Sequence, residues 1–255
     1  MKTLDQLPRQ GLRGIVFDVD DTLTKDGRLQ ASAFDAMWRL RNAGWRLVAV
    51  TGRPLGWADV FARLWPVDLA VGENGAGWSW VAEHRFRTGY FEDEAARALS
   101  ARRKLAALER VRREMPEVQD ARDNVARRCD LALDVGEEAS LSADEIRHLV
   151  ALIEDEQCRA PVSSVHCHIV PGHWNKALGA ERAIRGVLGE FQIDEWVFVG
   201  DSGNDAEAFA AFPASVGVAN VRTHLELLRT PPRYVTDAAF GDGFAELADY
   251  LLEPR

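Results

Sequence analysis

A chain of 255 residues with 47% apolar and 28% charged residues has an ordinary globular composition, long enough for a large domain or for a core with a smaller inserted one. No apolar run approaches the roughly 20 residues of a membrane span. The first residues, MKTLDQLPRQGLRG, lack the apolar centre of a secretory signal, so a cytoplasmic protein with no membrane partner is expected. The formal charge of −9 disfavours nucleic acid as a partner, and Cys129, Cys158 and Cys167 form no CxxC pair, which argues against a disulfide framework or structural zinc. An anionic small substrate stays open, because a few local cations can hold one phosphate whatever the global charge.

In chain order, short apolar runs alternate with helix-like stretches, the pattern of an α/β protein. Gly14 to Phe17 reads as a buried strand ending at a cluster of acids. Ala31 to Ala43 has helical spacing, with Phe34, Met37, Trp38 and Leu40 on one face and Gly44 as the stop. Arg46 to Val50 is a second strand, Trp57 to Trp65 a helix, and Asp68 to Val71 a third strand ending at Gly72-Glu73-Asn74-Gly75. The middle changes character. Glu92 to Glu114 is charged and helical, and Asp130 to Val135 alternates as a half-exposed strand. Ser142 to Gln157 opens with a capping-box pattern, and Pro161 to Val170 alternates again. This suggests an inserted α+β cap over residues 90 to 171, built on a small sheet with one open face. Buried-style strands then return at Glu195 to Val199, Ser215 to Ala219 and Arg233 to Thr236, with helices at Trp174 to Leu188, at Asp205 to Phe212 and from Gly243 onward. The core is therefore read as residues 1 to 89 plus 172 to 255, a Rossmann-like, mainly parallel sheet.

Chemistry concentrates where strands end. Asp18-Val19-Asp20-Asp21-Thr22 follows the first strand, and three acids so close repel each other unless a cation such as Mg²⁺ joins them. An acidic turn or helix cap is the plain alternative. Gly200-Asp201-Ser202-Gly203-Asn204-Asp205 follows another strand, and ligands of open parallel sheets bind at such ends. Thr51-Gly52-Arg53 offers a hydroxyl, a close backbone approach and a cation for phosphate oxygens, or is an ordinary turn. Lys176 alone would be a surface lysine; its place after the other three gives it interest.

That ordered set, Asp18/Asp20/Thr22, Thr51, Lys176, then Asp201 with Asp205, resembles the haloacid dehalogenase superfamily, which is mostly phosphatases. The insertion point and Glu73-Asn74-Gly75-Ala76 resemble its subclass IIB, which includes sucrose-phosphate and trehalose-phosphate phosphatases. Asp21 departs from the pattern, where that group usually has glycine. The resemblance implies a phosphatase acting on a small phosphorylated metabolite, with a phosphosugar weighted by the family. Asp18 would be the nucleophile and Asp20 the acid and base. Mg²⁺ would sit on Asp18, the Asp20 carbonyl and Asp201. Thr51 and Lys176 would hold the phosphoryl oxygens, with Asp205 orienting Lys176 or a metal-bound water and Asn204 beside it. Thr22 would order the loop. Gly52, Arg53 and Asn74 are candidate phosphate or leaving-group contacts.

Substrate choice is expected in the cap, where Ser164, His166 and His168 share one strand face, with Ser163 and His173 nearby. That face could meet a polar leaving group, or be an exposed polar surface; a zinc site there lacks further ligands. Trp78, Trp80 and Trp174 could line a sugar pocket or belong to the core. A phosphomutase is the alternative function and would need cap cations, which Arg97 to Arg113 could supply. Asp20 argues against a dehalogenase, and the complete motif set argues against a non-catalytic Mg²⁺- or phosphate-binding module. The oligomeric state is open.

Overall fold

The computed structural model describes residues 1–163, 165–225 and 228–253. The first part of the chain forms β1 (Lys2–Thr3), β2 (Gly14–Phe17), a small hairpin of β3 (Thr24–Lys25) and β4 (Arg28–Leu29), α1 (Ala31–Asn42), β5 (Arg46–Val50), α2 (Leu55–Leu64), β6 (Leu69–Gly72), β7 (Gly77–Ala82) and β8 (Arg85–Tyr90). The middle forms α3 (Glu94–Glu114), β9 (Leu131–Asp134), α4 (Ala143–Asp155) and β10 (His166–Ile169). The last part forms α5 (Lys176–Leu188), β11 (Trp196–Gly200), α6 (Ala206–Ala211), β12 (Ala214–Gly217), β13 (Tyr234–Val235) and α7 (Phe240–Leu252).

One nine-stranded sheet runs β1-β13-β12-β11-β2-β5-β6-β7-β8, parallel from β1 through β6 and antiparallel at the β7 and β8 edge. Both faces of its centre are covered. Ile15, Phe17, Leu47 and Ala49 pack under α1, α2 and α7, while Val16, Val48, Val50 and Phe198 pack under α5 and α6. Strands buried on both faces need apolar residues at every position, which is why GIVF and RLVAV show no alternation. The fold is the expected mainly parallel α/β type, and it places the ends of β2, β5 and β11 side by side.

The middle segment has its own core, in which Leu108 and Val111 of α3, Leu149 and Ile153 of α4, Leu133 of β9 and Cys167 and Ile169 of β10 meet. Ser142 closes the capping box of α4 with Glu145, as its sequence signals. The antiparallel β9–β10 pair turns Ala132, Asp134, His166 and His168 to its other face. That face was expected to be open; instead it lies on the main sheet's domain, and His166 and His168 are each 1% exposed.

Other expectations are corrected. Trp38 is 45% exposed, because Ala33 and Ala36 supply the close contact on the buried face of α1. α2 starts at Leu55, two residues early, and α7 at Phe240, three residues before Gly243. The β7–β8 hairpin was not anticipated; in it Trp78 is buried in the core against Gly89 rather than in a pocket. Trp174 is also core, its indole N–H donating to the Glu73 carbonyl at 3.1 Å. All three cysteines are free and buried. No helix among the described residues is long and apolar enough to cross a membrane.

Candidate active site

The loop after β2 is tied to the neighbouring strand by the Asp18 N–H, which donates to Val199 O at 2.8 Å. This sets Asp18 against the loop after β11. Asn175 caps α5 by accepting from Leu178 N at 2.9 Å, which places Lys176 at the first helical position. Lys176 is buried, with Nζ 2.8 Å from Asp18 Oδ1 and 2.7 Å from Asp205 Oδ1. The other oxygen of Asp205 accepts from the N–H groups of Asp201 at 2.9 Å and Ser202 at 3.2 Å. Asp205 is thus fully engaged in holding the lysine and the loop. Asp201 accepts from Thr22 Oγ1 at 3.2 Å and Asn220 Nδ2 at 3.3 Å. Thr22 therefore orders the loop.

Carboxylate oxygens of Asp18, Asp201 and Asp205 lie within 4.8 Å of one another, all buried. Burial, only partly offset by Lys176, pushes Asp18 up to about 8. Burial and the neighbouring acids push Asp201 well above the usual carboxylate range. Lys176 stays charged, since two carboxylates outweigh its desolvation. Three buried acids facing one lysine leave an excess of negative charge that a divalent cation would balance, so the residues fit Mg²⁺. Asp18 and Asp201 have more spare acceptor capacity than Asp205, which already accepts three hydrogen bonds.

Beside this cluster, Thr51 Oγ1 accepts from Arg53 N at 2.9 Å and donates to Asp20 Oδ2 at 3.4 Å. Asp18, Asp20, Gly52, Arg53, Ser202 and Asn204 from the main domain, with Ser163, Val165, His166 and His168 from the middle segment, line one small cavity. It has room for little more than a water molecule. Asn204 accepts from Ser202 Oγ at 3.0 Å. Asn74 lies over Gly52, where a Cβ would come within 3.2 Å of Asn74 Oδ1 and 3.3 Å of His168 Nε2. Both polar atoms of the Asn74 side chain are buried without a hydrogen-bond partner. His173 is exposed and stays outside the group. Ser164 lies outside the described residues.

Arg53 lines the cavity and faces acids of the protein itself. Its guanidinium is taken up by carboxylates, Asp20 at 3.0 Å, Glu137 at 3.1 Å and Asp123 at 3.5 Å. Five residues of this neighbourhood carried no sequence signal strong enough to single them out. Arg127 donates to Gly52 O and to Asp130 Oδ1, each at 2.9 Å, and Asp130 Oδ2 lies 3.0 Å from His168 Nδ1. Asp123 pairs with Arg127 as well as Arg53, and Glu137 pairs with His166 at 3.0 Å. Glu73 takes four backbone N–H groups, from Leu55, Arg128, Cys129 and Asp130. Its place beside Asn74 was the one hint available. Burial pushes both histidines down, His168 well below 6.5, so both are neutral.

Residues 15–85 match the family model of haloacid dehalogenase-like hydrolases. Over 246 residues, 94% of this chain and 96% of the other, the chain is 29% identical to a phosphoglycolate phosphatase of Methanosarcina mazei. Over roughly its first third the chain is thus similar to the haloacid dehalogenase-like hydrolases. Its fold matches the sucrose-phosphatase of Synechocystis (TM-score 0.68, 14% identity, 94% of this chain and 97% of that one). It also matches a subclass IIB sugar phosphatase (TM-score 0.64, 16% identity, 93% and 98%). In this chain the cavity lies at the carboxyl ends of β2, β5 and β11, where the strand order reverses direction.

Proposed function

We propose that this protein hydrolyses a small phosphomonoester through an aspartyl-phosphate on Asp18, with Mg²⁺ and with residues 90–171 as a cap over the site. The observation that carries this is Lys176 bridging Asp18 and Asp205 inside the buried acid cluster. An Oδ of Asp18 attacks phosphorus while the bond to the leaving oxygen breaks, and Asp20 gives that oxygen a proton. Asp20 then takes a proton from water, which displaces phosphate and regenerates Asp18. Lys176 and Thr51 hold the phosphoryl oxygens as charge shifts onto the leaving group, and Asp205 keeps Lys176 in place. Asp18, Asp201 and the Asp20 carbonyl would hold Mg²⁺, which offsets the charge between carboxylate and phosphate.

The curated relative is named for phosphoglycolate, so 2-phosphoglycolate is the first substrate to try ahead of phosphosugars. His166, His168 and Asn204, which line the cavity, and Asn74 next to Gly52 are the contacts proposed for it. Phosphate release would be measured across a panel of phosphomonoesters with Mg²⁺, with EDTA, and with Asp18→Asn. Release that needs Mg²⁺ and disappears in the variant is the expected result. Release untouched by Asp18→Asn would overturn the mechanism, and interconversion of sugar monophosphates without release would favour a mutase.

A further inference from the structure

At the site's edge the Arg53 guanidinium touches acids from both parts of the molecule. Its Nε lies 3.0 and 3.2 Å from the two oxygens of Asp20, after β2. Its Nη1 lies 3.1 Å from Glu137 Oε1 and 3.5 Å from Asp123 Oδ2, both from the middle segment. The guanidinium carbon also lies 4.9 Å from the centroid of the Trp57 ring, a cation–π contact within the main domain. Glu137 is held in turn by His166 Nε2 at 3.0 Å. The chain of contacts therefore runs Asp20–Arg53–Glu137–His166, from one part of the protein to the other.

A planar fork cannot shift one arm without turning the other. Where Glu137 holds Nη1, the Nε–H is aimed at Asp20. If the middle segment moves away, Nη1 loses both acids, Arg53 is left with only Asp20 and the Trp57 face to orient it, and the Asp20 carboxylate is held more loosely, with the long contact to Thr51 at 3.4 Å beside it. We infer that Glu137 is a positioning residue: through Arg53 it aims the Asp20 carboxylate only when the middle segment lies over the site. Proton transfer to the leaving oxygen is thereby tied to closure and is kept from open enzyme. This rests on Asp20 being the acid and base of the proposed reaction, whereas the bridge itself is independent of it.

The test uses the full chain with Glu137→Gln, Arg53→Gln and the double variant. On the best phosphomonoester, Glu137→Gln is expected to lower kcat by about tenfold with KM changed less than about twofold, and to have no further effect once Arg53 is Gln. Losses that multiply, or a loss confined to KM, would overturn the inference, the second by making Glu137 a substrate contact. The Arg53 Nε–H resonance, assigned by its disappearance in Arg53→Lys, is read in parallel without substrate. It is expected to move in Glu137→Gln as it does in Asp20→Asn, and an unmoved signal would overturn the bridge. Wild type inactive on every phosphomonoester would instead count against the proposed function, and the resonance would still decide the bridge.

Discussion

Glu73 is 0% exposed, and its two oxygens each accept two backbone N–H groups, so no cation is needed to keep it in place. Glu73→Gln would turn an amide NH₂ toward two of those donors, leaving them unpaired. It is expected to cost about 2–3 kcal/mol, measured by chemical denaturation; an unchanged midpoint would contradict the role given to these bonds. His168 makes an opposite pH argument. Burial, then Arg127, holds its pKa well below 6.5, while the unfolded chain takes up that proton near 6.5. Acid therefore favours the unfolded state, and stability should fall as pH drops below about 6.5, by at most about 1.4 kcal/mol per unit from this group. His168→Gln should flatten that slope, and equal slopes would sink the account. Asp21 explains itself by geometry: its φ is +54°, the left-handed region that glycine enters freely and Asp tolerates. The departure from the family's glycine thus keeps the backbone shape.

Among the elements, α5 matters most to the site, because its first turn carries Lys176. It lies so close to the turn at Glu73–Gly75 that a Cβ on Gly179 would come 2.2 Å from Gly75 Cα and 2.6 Å from Gly75 O. Backbone cannot yield as a side chain can. Gly179→Ala is expected to cost about 3 kcal/mol and to lower kcat as Lys176 shifts. Gly186, seven residues on, faces open space. Gly186→Ala should raise stability by up to about 1 kcal/mol through helix propensity and leave kcat unchanged. Thermal unfolding and kinetics of the two variants check this pair; matching behaviour would show that the contact of α5 with the turn is unimportant.

On the scale of the whole molecule, the cavity as it stands is smaller than any phosphomonoester, so the proposed turnover is expected to need residues 90–171 to move away and return. Gly56 at the start of α2 and Ala126 of the middle segment offer a way to hold them together, since a Cβ on Gly56 would lie 3.0 Å from Ala126 Cβ. That is a little shorter than the usual ~3.5–4.5 Å of a disulfide, within reach of a small adjustment. Gly56→Cys with Ala126→Cys, oxidised, is expected to lose nearly all phosphate release and regain it on reduction. Full activity in the oxidised form would mean that opening is not needed.

The central strands β2, β5, β6 and β11 were legible because burial on both faces demands unbroken apolar runs, and Asp18, Thr51 and Asp201 because each directly follows such a strand. Lys176 was legible only through its order among them. The edge hairpin β7–β8 was not, since its alternation of Trp, Arg and small residues resembles exposed loop as much as strand. Local residue patterns by themselves determined the type of sheet and the position of the acids, while the class of chemistry followed from the resemblance of the ordered motifs to the haloacid dehalogenase superfamily. Only the tertiary structure decided that Arg53 meets carboxylates, that Glu73 binds residues 128–130, and that His166 and His168 are sealed and neutral. Arg53 and Glu137 are 84 residues apart and Glu73 and Cys129 are 56 apart. Such pairings depend on how one folded unit lies on another, and no periodicity within either unit records that.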